Sequence, residues 1–390
     1  MNNSNKKLIL ITGGHLTPAI AVVNELKKRG HNNLIWVGSK HNQKGNKELS
    51  PEFLTVKSLG IKFINLKTGK LNRNWSGDTF FSGINNLFLL INGSIKSIYI
   101  ILRYRPALIM SFGGYLAVPI VISGKLFRRT VITHEQTMVV GLANKIIAKL
   151  ADKVLISWES SKKYFDKKKT ILTGNPIRRD IFIIKSNNLT KNFDKNYPTL
   201  LIYGGNQGSH EINSRIFEII PDILQECNVI HQTGNSSVTQ DYKKAQEIKR
   251  ELPVELQIRY EIRDYITAEE VGEALNKSDL ILGRSGANNV SELLALGKLS
   301  ILIPIPWSSH DEQTKNAHYI ADVGLGYVLK QSENLSSKTV FQTILIGLNQ
   351  LKTGKGFNGR PIEECKSLGK SKIILDAPQN VVNEIERAMN

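Results

Sequence analysis

Short apolar segments alternate with longer amphipathic ones along the chain of 390 residues, and glycines commonly separate them. Leu8–Thr12 is a continuous apolar run that ends at a glycine pair, which is typical of a buried parallel strand. Ala19–Arg29 has apolar residues at helical spacing, with Thr17 as its predicted N-cap and Gly30 as its stop. The alternation continues in predicted strands at Asn33–Gly38, Ala107–Phe112, Thr130–His134 and Lys153–Ser157, and in a predicted helix at Leu142–Leu150.

A second series of the same kind follows a polar stretch at residues 185–197. Its predicted elements are strands at Thr199–Tyr203, Asn228–His231, Leu280–Leu282 and Ser300–Ile303, and a helix at Asn289–Leu296. Strands that alternate with helices indicate parallel, doubly wound sheets. We therefore predict an α/β fold with two Rossmann-like domains, at residues 1–176 and 177–375. A last amphipathic helix, at about 376–390, is expected to pack back onto the first domain.

Glycine turns follow three of the predicted strands. They are Gly13-Gly14-His15, Gly113-Gly114-Tyr115 and Gly204-Gly205-Asn206-Gln207-Gly208. Glycine at a strand-to-helix turn lets backbone N–H groups approach a phosphate, and ligands of open α/β sheets bind at this edge. None of the turns has the spacing of a dinucleotide fingerprint or a Walker loop, which argues against a dehydrogenase or an NTPase.

Several polar residues near predicted turns are candidates for chemistry. A neutral His15 could take a proton from a sugar hydroxyl, or it could hold its own loop by hydrogen bonds. The turn Gly283–Ala287 opens a helix that carries Glu292, a candidate ligand of ribose hydroxyls. Polar residues at 310–317 suit the hydroxyls of a sugar or the capping of a helix.

Charge and cysteine content narrow the class of protein. The net charge is +18, and residues 1–134 carry +15 of it. This asymmetry indicates an anionic partner for the first domain, the alternative being a lysine-rich solvated surface. No nucleic-acid-binding module is recognisable. Cys227 and Cys365 have no metal-like or disulfide-like spacing, and no export signal is visible, so a reducing cytosol is expected.

The segment Trp75–Leu102 is apolar but interrupted by asparagines and a lysine, so we predict no membrane-spanning helix there. Basic residues flank it, a pattern that favours docking at a membrane interface for Trp75–Ile91. Ser94–Leu102 is predicted to be a core helix. The residues predicted to enter the membrane surface are Trp75, Phe80, Phe81, Leu87 and Phe88.

Taken in order, the motifs resemble those of the MurG family, glycosyltransferases of family 28 with the GT-B fold. The resemblance runs from about Leu8 to the C-terminal helix. It is carried by Thr12–Pro18, Phe112–Tyr115, His134–Gln136, Gly141–Lys145, Gly174–Arg178, Gly204–Gly208, Arg284–Ala287 with Glu292, and Gln313 with Asn316-Ala317.

The resemblance implies an inverting transferase that moves N-acetylglucosamine from UDP-N-acetylglucosamine to undecaprenyl-diphospho-N-acetylmuramoyl-pentapeptide, converting lipid I to lipid II in peptidoglycan synthesis. It implies an N-terminal acceptor domain and a C-terminal UDP-sugar domain facing a cleft. It also implies a peripheral position at the cytoplasmic face of the cell membrane. The expected partners are the UDP-sugar, a polyprenyl-diphosphate acceptor and an anionic membrane surface, with no cofactor, bound metal or nucleic acid.

The resemblance also assigns residues. His15 would be the catalytic base or a ligand of the acceptor diphosphate. Arg178 would contact the donor diphosphate, Ile266 the uracil and Glu292 the ribose. The other donor-site residues would be Asn206, Arg284, Ser285, Gly286, Ala287, Glu312 and Gln313. The acceptor site would comprise Thr12, Gly13, Gly14, His15, Gly113, Gly114, Tyr115, Glu135 and Gln136.

The chain departs from the family pattern at Leu10-Ile11, Thr137, Asn206 and Glu312. Because some of these positions lie on the acceptor side, two alternatives stay open. One is a related GT-B transferase with another polyprenyl or glycolipid acceptor, and the other is a non-catalytic UDP-sugar-binding subunit. A UDP-sugar epimerase is disfavoured, since a soluble substrate has no need of the basic, apolar segment.

Overall fold

The computed structural model describes residues 7–41, 49–69, 80–205 and 208–390. The chain divides into two compact units, Met1–Arg178 with Ile374–Asn390, and Arg179–Ile373. Each division falls two residues from the corresponding boundary expected from the sequence.

The first unit is built on a parallel sheet of seven strands in the order β3-β2-β1-β4-β5-β6-β7. The strands are β1 (Ile9–Gly13), β2 (Leu34–Gly38), β3 (Lys62–Asn65), β4 (Leu108–Phe112), β5 (Thr130–Glu135), β6 (Lys153–Ile156) and β7 (Thr170–Leu172). The order reverses between β1 and β4, so the turns after these two strands meet at a topological switch point.

Apolar side chains on both faces of this sheet explain the continuous apolar runs in the sequence. Ile9 and Ile11 point into one core, and Leu10 between them points into the other. Successive side chains of a strand face opposite sides, so a strand covered by helices on both faces must be apolar throughout.

In the described part of the first unit, five α-helices precede β7 along the chain. They are α1 (Leu16–Lys28), α2 (Pro51–Ser58), α3 (Phe80–Tyr104), α4 (Ala117–Leu126) and α5 (Leu142–Leu150). The prediction of Thr17 as the N-cap of α1 is wrong, because His15 occupies that position in an extended conformation. Pro18 fits the first turn of the helix, where no backbone N–H is needed for an intrahelical hydrogen bond.

The second unit has a parallel sheet of six strands in the order β10-β9-β8-β11-β12-β13. The strands are β8 (Thr199–Tyr203), β9 (Asn228–Gln232), β10 (Tyr260–Arg263), β11 (Leu280–Gly283), β12 (Leu299–Leu302) and β13 (Gly326–Val328). The helices are α6 (His210–Glu226), α7 (Asp241–Glu251), α8 (Val254–Gln257), α9 (Val271–Lys277), α10 (Ala287–Leu296), α11 (Glu312–Asp322), α12 (Ser337–Thr353) and α13 (Ile362–Ser371). Its switch point lies between β8 and β11.

The last helix, α14 (Ala377–Met389), returns to the first unit and packs against α1. Its apolar stripe of Val381, Val382, Ile385 and Met389 lies in the same core as β1. Ion pairs at its rim join Glu386 to Arg29 at 2.9 Å and Glu384 to Lys153 at 2.6 Å. Burial of the stripe, at about 1.5–3 kcal/mol for each large side chain, therefore holds the end of the chain on the first unit.

We predict that Ile385→Ala lowers the free energy of unfolding by about 2–5 kcal/mol, because Ile385 is fully buried and its loss leaves a cavity. Ile346→Ala is the matched control, since Ile346 on α12 is 43% exposed and should change stability far less. Urea unfolding of both variants measures the difference. Equal effects of the two substitutions would contradict the docking of α14.

Candidate active site

Two glycine turns of the first unit touch each other at the switch point. A Cβ placed on Gly14 would lie 3.2 Å from the Cα of Gly114, and one placed on Gly114 would lie 3.1 Å from the Cα of Gly14. Gly113 and Gly114 have φ values of +76° and +82°, which side chains other than glycine rarely tolerate. Glycine at these positions, which were predicted for the acceptor site, therefore suits the close approach of the turns after β1 and β4.

A carboxylate and two neutral side chains brace the turn after β4. Asn144 on α5 accepts a hydrogen bond from the Gly114 N–H at 2.9 Å and donates to Glu135 Oε2 at 2.6 Å. Glu135 Oε1 accepts from the backbone N–H and the hydroxyl of Thr137 at 2.9 and 2.7 Å. Burial raises the pKa of Glu135, although these hydrogen bonds oppose the rise. Glu135, predicted as an acceptor ligand, therefore fixes the shape of the turn.

The role of Asn144 was missed in the sequence. Asn144 lies within the motif Gly141–Lys145, but a neutral amide on a helix gives no sign of its contact with a turn 30 residues earlier. Thr137, noted only as a departure from the family pattern, supplies two of the hydrogen bonds to Glu135.

His15 lies between the turn after β1 and the start of α1. Burial, and secondly the nearby His134, lower the pKa of His15 to about 4, although part of the residue stays accessible to solvent. Burial likewise lowers the pKa of His134 to about 4, and its Nε2–H donates to the Gly174 carbonyl at 3.0 Å. Both imidazoles are consequently neutral at pH 7. Thr12 and Gln136, also predicted for the acceptor site, are buried close by at the carboxyl ends of β1 and β5.

A second carboxyl group, Glu52, lies at the carboxyl end of β2. Its oxygens accept hydrogen bonds from Trp36 Nε1 at 2.7 Å and from the Ser39 N–H at 3.1 Å. Burial raises the pKa of Glu52 to about 7 in spite of these bonds, and the charge of Glu52 helps burial to raise the pKa of Tyr115. Glu52 was not predicted as a site residue. The one feature of the sequence that could have indicated it is that acidic residues are rare in this basic segment.

In the second unit, a glycine loop joins β8 to α6. A Cβ on Gly204 would lie 2.5 Å from the Ser209 nitrogen, and one on Gly208 would lie 2.0 Å from the Thr233 carbonyl oxygen. Gly204 therefore lies close to Ser209, and Gly208 lies close to Thr233, which follows β9. Asn206, predicted to contact the donor, lies outside the described residues.

Arg284 lies in the turn between β11 and α10, and it is only 7% exposed. Its Nη1 donates to the Ile303 carbonyl at 2.9 Å and to Gln331 Oε1 at 2.5 Å, and its Nη2 donates to Ser209 Oγ at 2.8 Å. Burial lowers the pKa of Arg284 to about 10, so the guanidinium stays charged at neutral pH. The structure thus places this predicted donor ligand where it joins the β11 turn to the glycine loop.

The first turns of α11 are tied to the same region. Ser285 Oγ donates to the Gln313 carbonyl at 2.8 Å, and Asn316 Nδ2 donates to the Ser285 carbonyl at 3.1 Å. Gln313 Oε1 accepts from the Ile305 N–H at 3.1 Å, and Asn316 Nδ2 lies 3.4 Å from Glu312 Oε1. The predicted residues Ser285, Glu312 and Gln313 are thereby gathered at the carboxyl edge of β11 and β12.

The N-terminus of α10 has open space beside its N-cap residue. Gly286 is its N-cap, and a Cβ placed there would meet no atom within 4 Å. Ala287 opens the helix, and Glu292 is buried in its second turn. Ile266, predicted to contact uracil, follows β10 and is also buried.

Arg178 ends the first unit, whereas the other predicted donor residues lie in the second, so its contact with the donor stays a prediction. Within the described residues, no group of three or more His, Cys, Asp or Glu side chains is placed to hold a metal ion.

An apolar stripe runs along the exposed face of α3. Phe88 and Ile95 are 64% and 61% exposed, and neighbouring α4 adds Leu126, also exposed. The other exposed members of α3 are Leu87, Ile91, Tyr99 and Leu102. The side chains of Phe80 and Phe81, like the whole of Trp75, lie outside what the structure describes.

One prediction for this helix is corrected. Ser94–Leu102 is not wholly in the core, because Ile95, Tyr99 and Leu102 face outward while Ser97, Ile100 and Ile101 are buried. Asn86–Tyr104 also has the length and apolar composition of a membrane-spanning helix, the one such case among the described residues. The buried residues of α3 nevertheless join the core of the first unit, as an amphipathic outer helix does.

We predict that the imidazole of His15 stays neutral as the pH falls from 7 to about 5, since its pKa is lowered to about 4. Histidine side-chain NMR spectra recorded across this range would show it, with the His15 signal assigned by its loss in His15→Gln. A titration midpoint near the ordinary value of about 6.5 would contradict the burial of the ring.

Two family models match the chain. The N-terminal domain of glycosyltransferase family 28 matches residues 11–156, and the C-terminal domain of the same family matches residues 199–354.

Curated relatives match over most of their length. A protein from Geotalea uraniireducens (strain Rf4) is 30% identical over 381 residues, which covers 96% of each chain. One from Borreliella burgdorferi (strain ATCC 35210) is 33% identical over 344 residues, which covers 85% of this chain and 86% of the relative. Both are named UDP-N-acetylglucosamine–N-acetylmuramyl-(pentapeptide) pyrophosphoryl-undecaprenol N-acetylglucosamine transferase.

Solved structures agree in fold. The crystal structure of Acinetobacter baumannii MurG superposes with a TM-score of 0.66 at 20% identity, covering 98% of this chain and 99% of that one. The S. aureus MnaA–UDP co-structure superposes with a TM-score of 0.64 at 12% identity, covering 98% and 97%. Two parallel-sheet Rossmann-like domains of the GT-B type, matched in order by both family models, place the chain in glycosyltransferase family 28.

Proposed function

We propose that this chain is an inverting hexosyltransferase that moves N-acetylglucosamine from UDP-N-acetylglucosamine to undecaprenyl-diphospho-N-acetylmuramoyl-pentapeptide in peptidoglycan synthesis. The observation that carries the proposal is the likeness, over 85–96% of the chain, to relatives whose name states both substrates. The glycine turns at the switch point of each sheet support it, since such edges bind phosphate-bearing ligands.

The donor binds the second unit in this proposal. Its diphosphate lies against the glycine loop after β8 and the N-terminus of α10, because backbone N–H groups and the dipole at the start of a helix favour an anion. The open space beside Gly286 supports this position. Glu292 binds the ribose, Ile266 the uracil and Gln313 with Glu312 the sugar, while Arg178 reaches the diphosphate.

The acceptor binds the first unit, beside the turns after β1 and β4. Its hydroxyl oxygen attacks the anomeric carbon of the donor, the bond from that carbon to the UDP oxygen breaks, and UDP leaves with the bonding electrons. His15 takes the hydroxyl proton. A pKa of about 4 keeps the imidazole neutral but makes it a weak base, and an acceptor diphosphate beside it would raise that pKa. Binding of the acceptor therefore makes His15 a stronger base.

The proposed site of action is the cytoplasmic face of the membrane. The stripe on α3 supplies apolar area, at about 25 cal/mol per Å² buried. Basic residues near it supply attraction to anionic headgroups, at about 1 kcal/mol for each residue close to the surface. Those in the described part of the chain are Lys96, Arg103, Arg105, Lys125, Arg128 and Arg129.

The test of the function is an assay with labelled UDP-N-acetylglucosamine and a lipid I analogue, scored for lipid-linked disaccharide. His15→Ala should lose a factor on the order of 10²–10⁴ in transfer rate while keeping its affinity for UDP. Glu292→Ala should instead weaken UDP binding by roughly 1.5–3 kcal/mol, because it removes a charged hydrogen-bond acceptor. Exposed Glu333→Ala is the control for the loss of a carboxylate.

A wild-type protein that binds UDP but forms no disaccharide would favour the non-catalytic alternative. Transfer to a different polyprenyl acceptor would favour the related transferase.

We predict that the protein co-sediments with anionic vesicles at low salt, binds neutral vesicles weakly and is partly released at about 0.5 M salt, because only the electrostatic part is screened. Phe88→Ser combined with Ile95→Ser should weaken the salt-resistant remainder and leave UDP binding intact. Val238→Ser is the matched control, since Val238 is 90% exposed in the second unit. No binding to anionic vesicles at low salt would contradict the membrane assignment.

A further inference from the structure

A partly buried carboxyl group, Glu52 in the first turn of α2, lies against the end of β2. Its Oε1 accepts a hydrogen bond from Trp36 Nε1 at 2.7 Å, and its Oε2 accepts one from the Ser39 N–H at 3.1 Å. A Cβ placed on Gly38 would lie 2.4 Å from Glu52 Oε1, so the carboxyl group directly contacts this strand end. A carboxylate can accept about four hydrogen bonds, so the two protein donors leave each oxygen able to bond to a further group.

The end of β2 lies beside the turns proposed to bind the acceptor. Thr12 on β1 pairs in register with Val37 on β2, so the glycine turn after β1 begins beside Gly38. The turns after β1 and β4 approach each other closely, and Tyr115 belongs to the second of them. The charge of Glu52 helps burial to raise the pKa of Tyr115, which indicates that the two side chains are near each other. Glu52 therefore shares one edge of the sheet with residues predicted for the acceptor site.

The charge of Glu52 changes near neutral pH. Burial raises its pKa to about 7, although its two hydrogen bonds favour the ionised form and oppose the rise. The neighbouring groups that can carry charge are Tyr115 and Lys40, whose Nζ lies 5.3 Å from the centre of the Phe53 ring on α2. An anion that binds beside the carboxyl group would raise its pKa further, because like charges disfavour the ionised form.

We propose that Glu52 is a further residue of the acceptor site, where its protonated carboxyl group donates a hydrogen bond to an oxygen atom of the acceptor near the diphosphate. The inference rests on the proposed function, since that function supplies the anionic acceptor. A protonated carboxyl group still accepts from Trp36 and Ser39 and gains one O–H donor. The proton comes from the buffer and binds a carboxylate oxygen as the acceptor binds. Acceptor affinity should therefore fall as the pH rises above about 7, where the free carboxyl group loses its proton.

Titration calorimetry of the full chain with a lipid I analogue of short prenyl length tests this proton uptake. At pH 7.5 the binding enthalpy should differ between PIPES and Tris, whose ionisation enthalpies differ, by the amount expected for an uptake of about half a proton or more. The affinity for the analogue should fall about tenfold between pH 6.5 and pH 8.

Glu52→Gln is the variant that separates this role from a structural one. Glutamine cannot ionise, and its NH₂ group replaces the donor of the protonated carboxyl group. We expect the proton uptake at pH 7.5 to be lost and the affinity for the analogue to stay nearly constant from pH 6.5 to pH 8. At pH 8 the variant should bind the analogue more tightly than the wild type, a gain that a loss of stability does not produce. Its Kd for UDP should be unchanged.

Two further variants complete the test. Glu159→Gln is the matched control, since this carboxylate of the same unit is 63% exposed, and it should keep the proton uptake and pH dependence of the wild type. Trp36→Phe keeps the carboxyl group of Glu52 but removes a donor that favours its ionised form, so the fall in affinity should begin at a higher pH. It takes the place of Glu52→Gln if that variant does not fold.

Proton uptake of wild-type size in a folded Glu52→Gln variant would overturn the inference and leave the proposed function standing. So would a wild-type protein that binds the analogue without proton uptake, or a fall in affinity at the same pH in wild type and Trp36→Phe. A wild-type protein that does not bind the analogue at all would overturn the proposed function and this inference with it.

Discussion

Parallel pairing of every strand within each sheet is the constraint on which the candidate site depends. The carboxyl ends of all strands in a sheet come to one edge, so turns that are far apart in sequence meet there. In the first unit this brings the turns after β1 and β4 so close together that a side chain at Gly14 or Gly114 would crowd the opposite turn. In the second unit the same geometry places the loop after β8 beside the turn after β11, where Arg284 joins them.

Around these turns, buried polar side chains act on the backbone. Asn144 holds the Gly114 N–H and is itself held by Glu135, while Asn213 holds the Thr233 carbonyl and is held by Asp241. In both units an asparagine, which can donate and accept, connects a buried carboxylate to the main chain. A buried carboxylate is costly unless its hydrogen bonds are satisfied, so each arrangement has little freedom to shift.

The two units differ in their electrostatic character. Burial in the first unit leaves His15 and His134 uncharged at pH 7 and raises the pKa of Glu52 to about 7. In the second unit, the buried Arg284 keeps its charge beneath the glycine loop. A phosphate-bearing ligand would raise the pKa of a nearby group in either unit. It would change the protonation state at neutral pH more in the first unit, because a group with a pKa of about 10 is already protonated.

The sequence by itself determined the number and kind of domains, because continuous apolar strands and glycine turns follow from burial on both faces and from backbone sterics, which are local properties. Helix α5 and strand β8 have the predicted bounds, and the apolar stripe of α14 was readable from its spacing. The start of α1 was predicted two residues late, since His15 at the N-cap makes no side-chain hydrogen bond that a residue preference would reveal. Only the tertiary structure decided what Glu135 and Arg284 contact, and it alone gave Asn144, Glu52 and Asp241 their places. Apart from the bonds between Glu135 and Thr137, those contacts join residues 9 to 75 positions apart, and the direction of a polar side chain across such a distance depends on which strands are neighbours in the sheet.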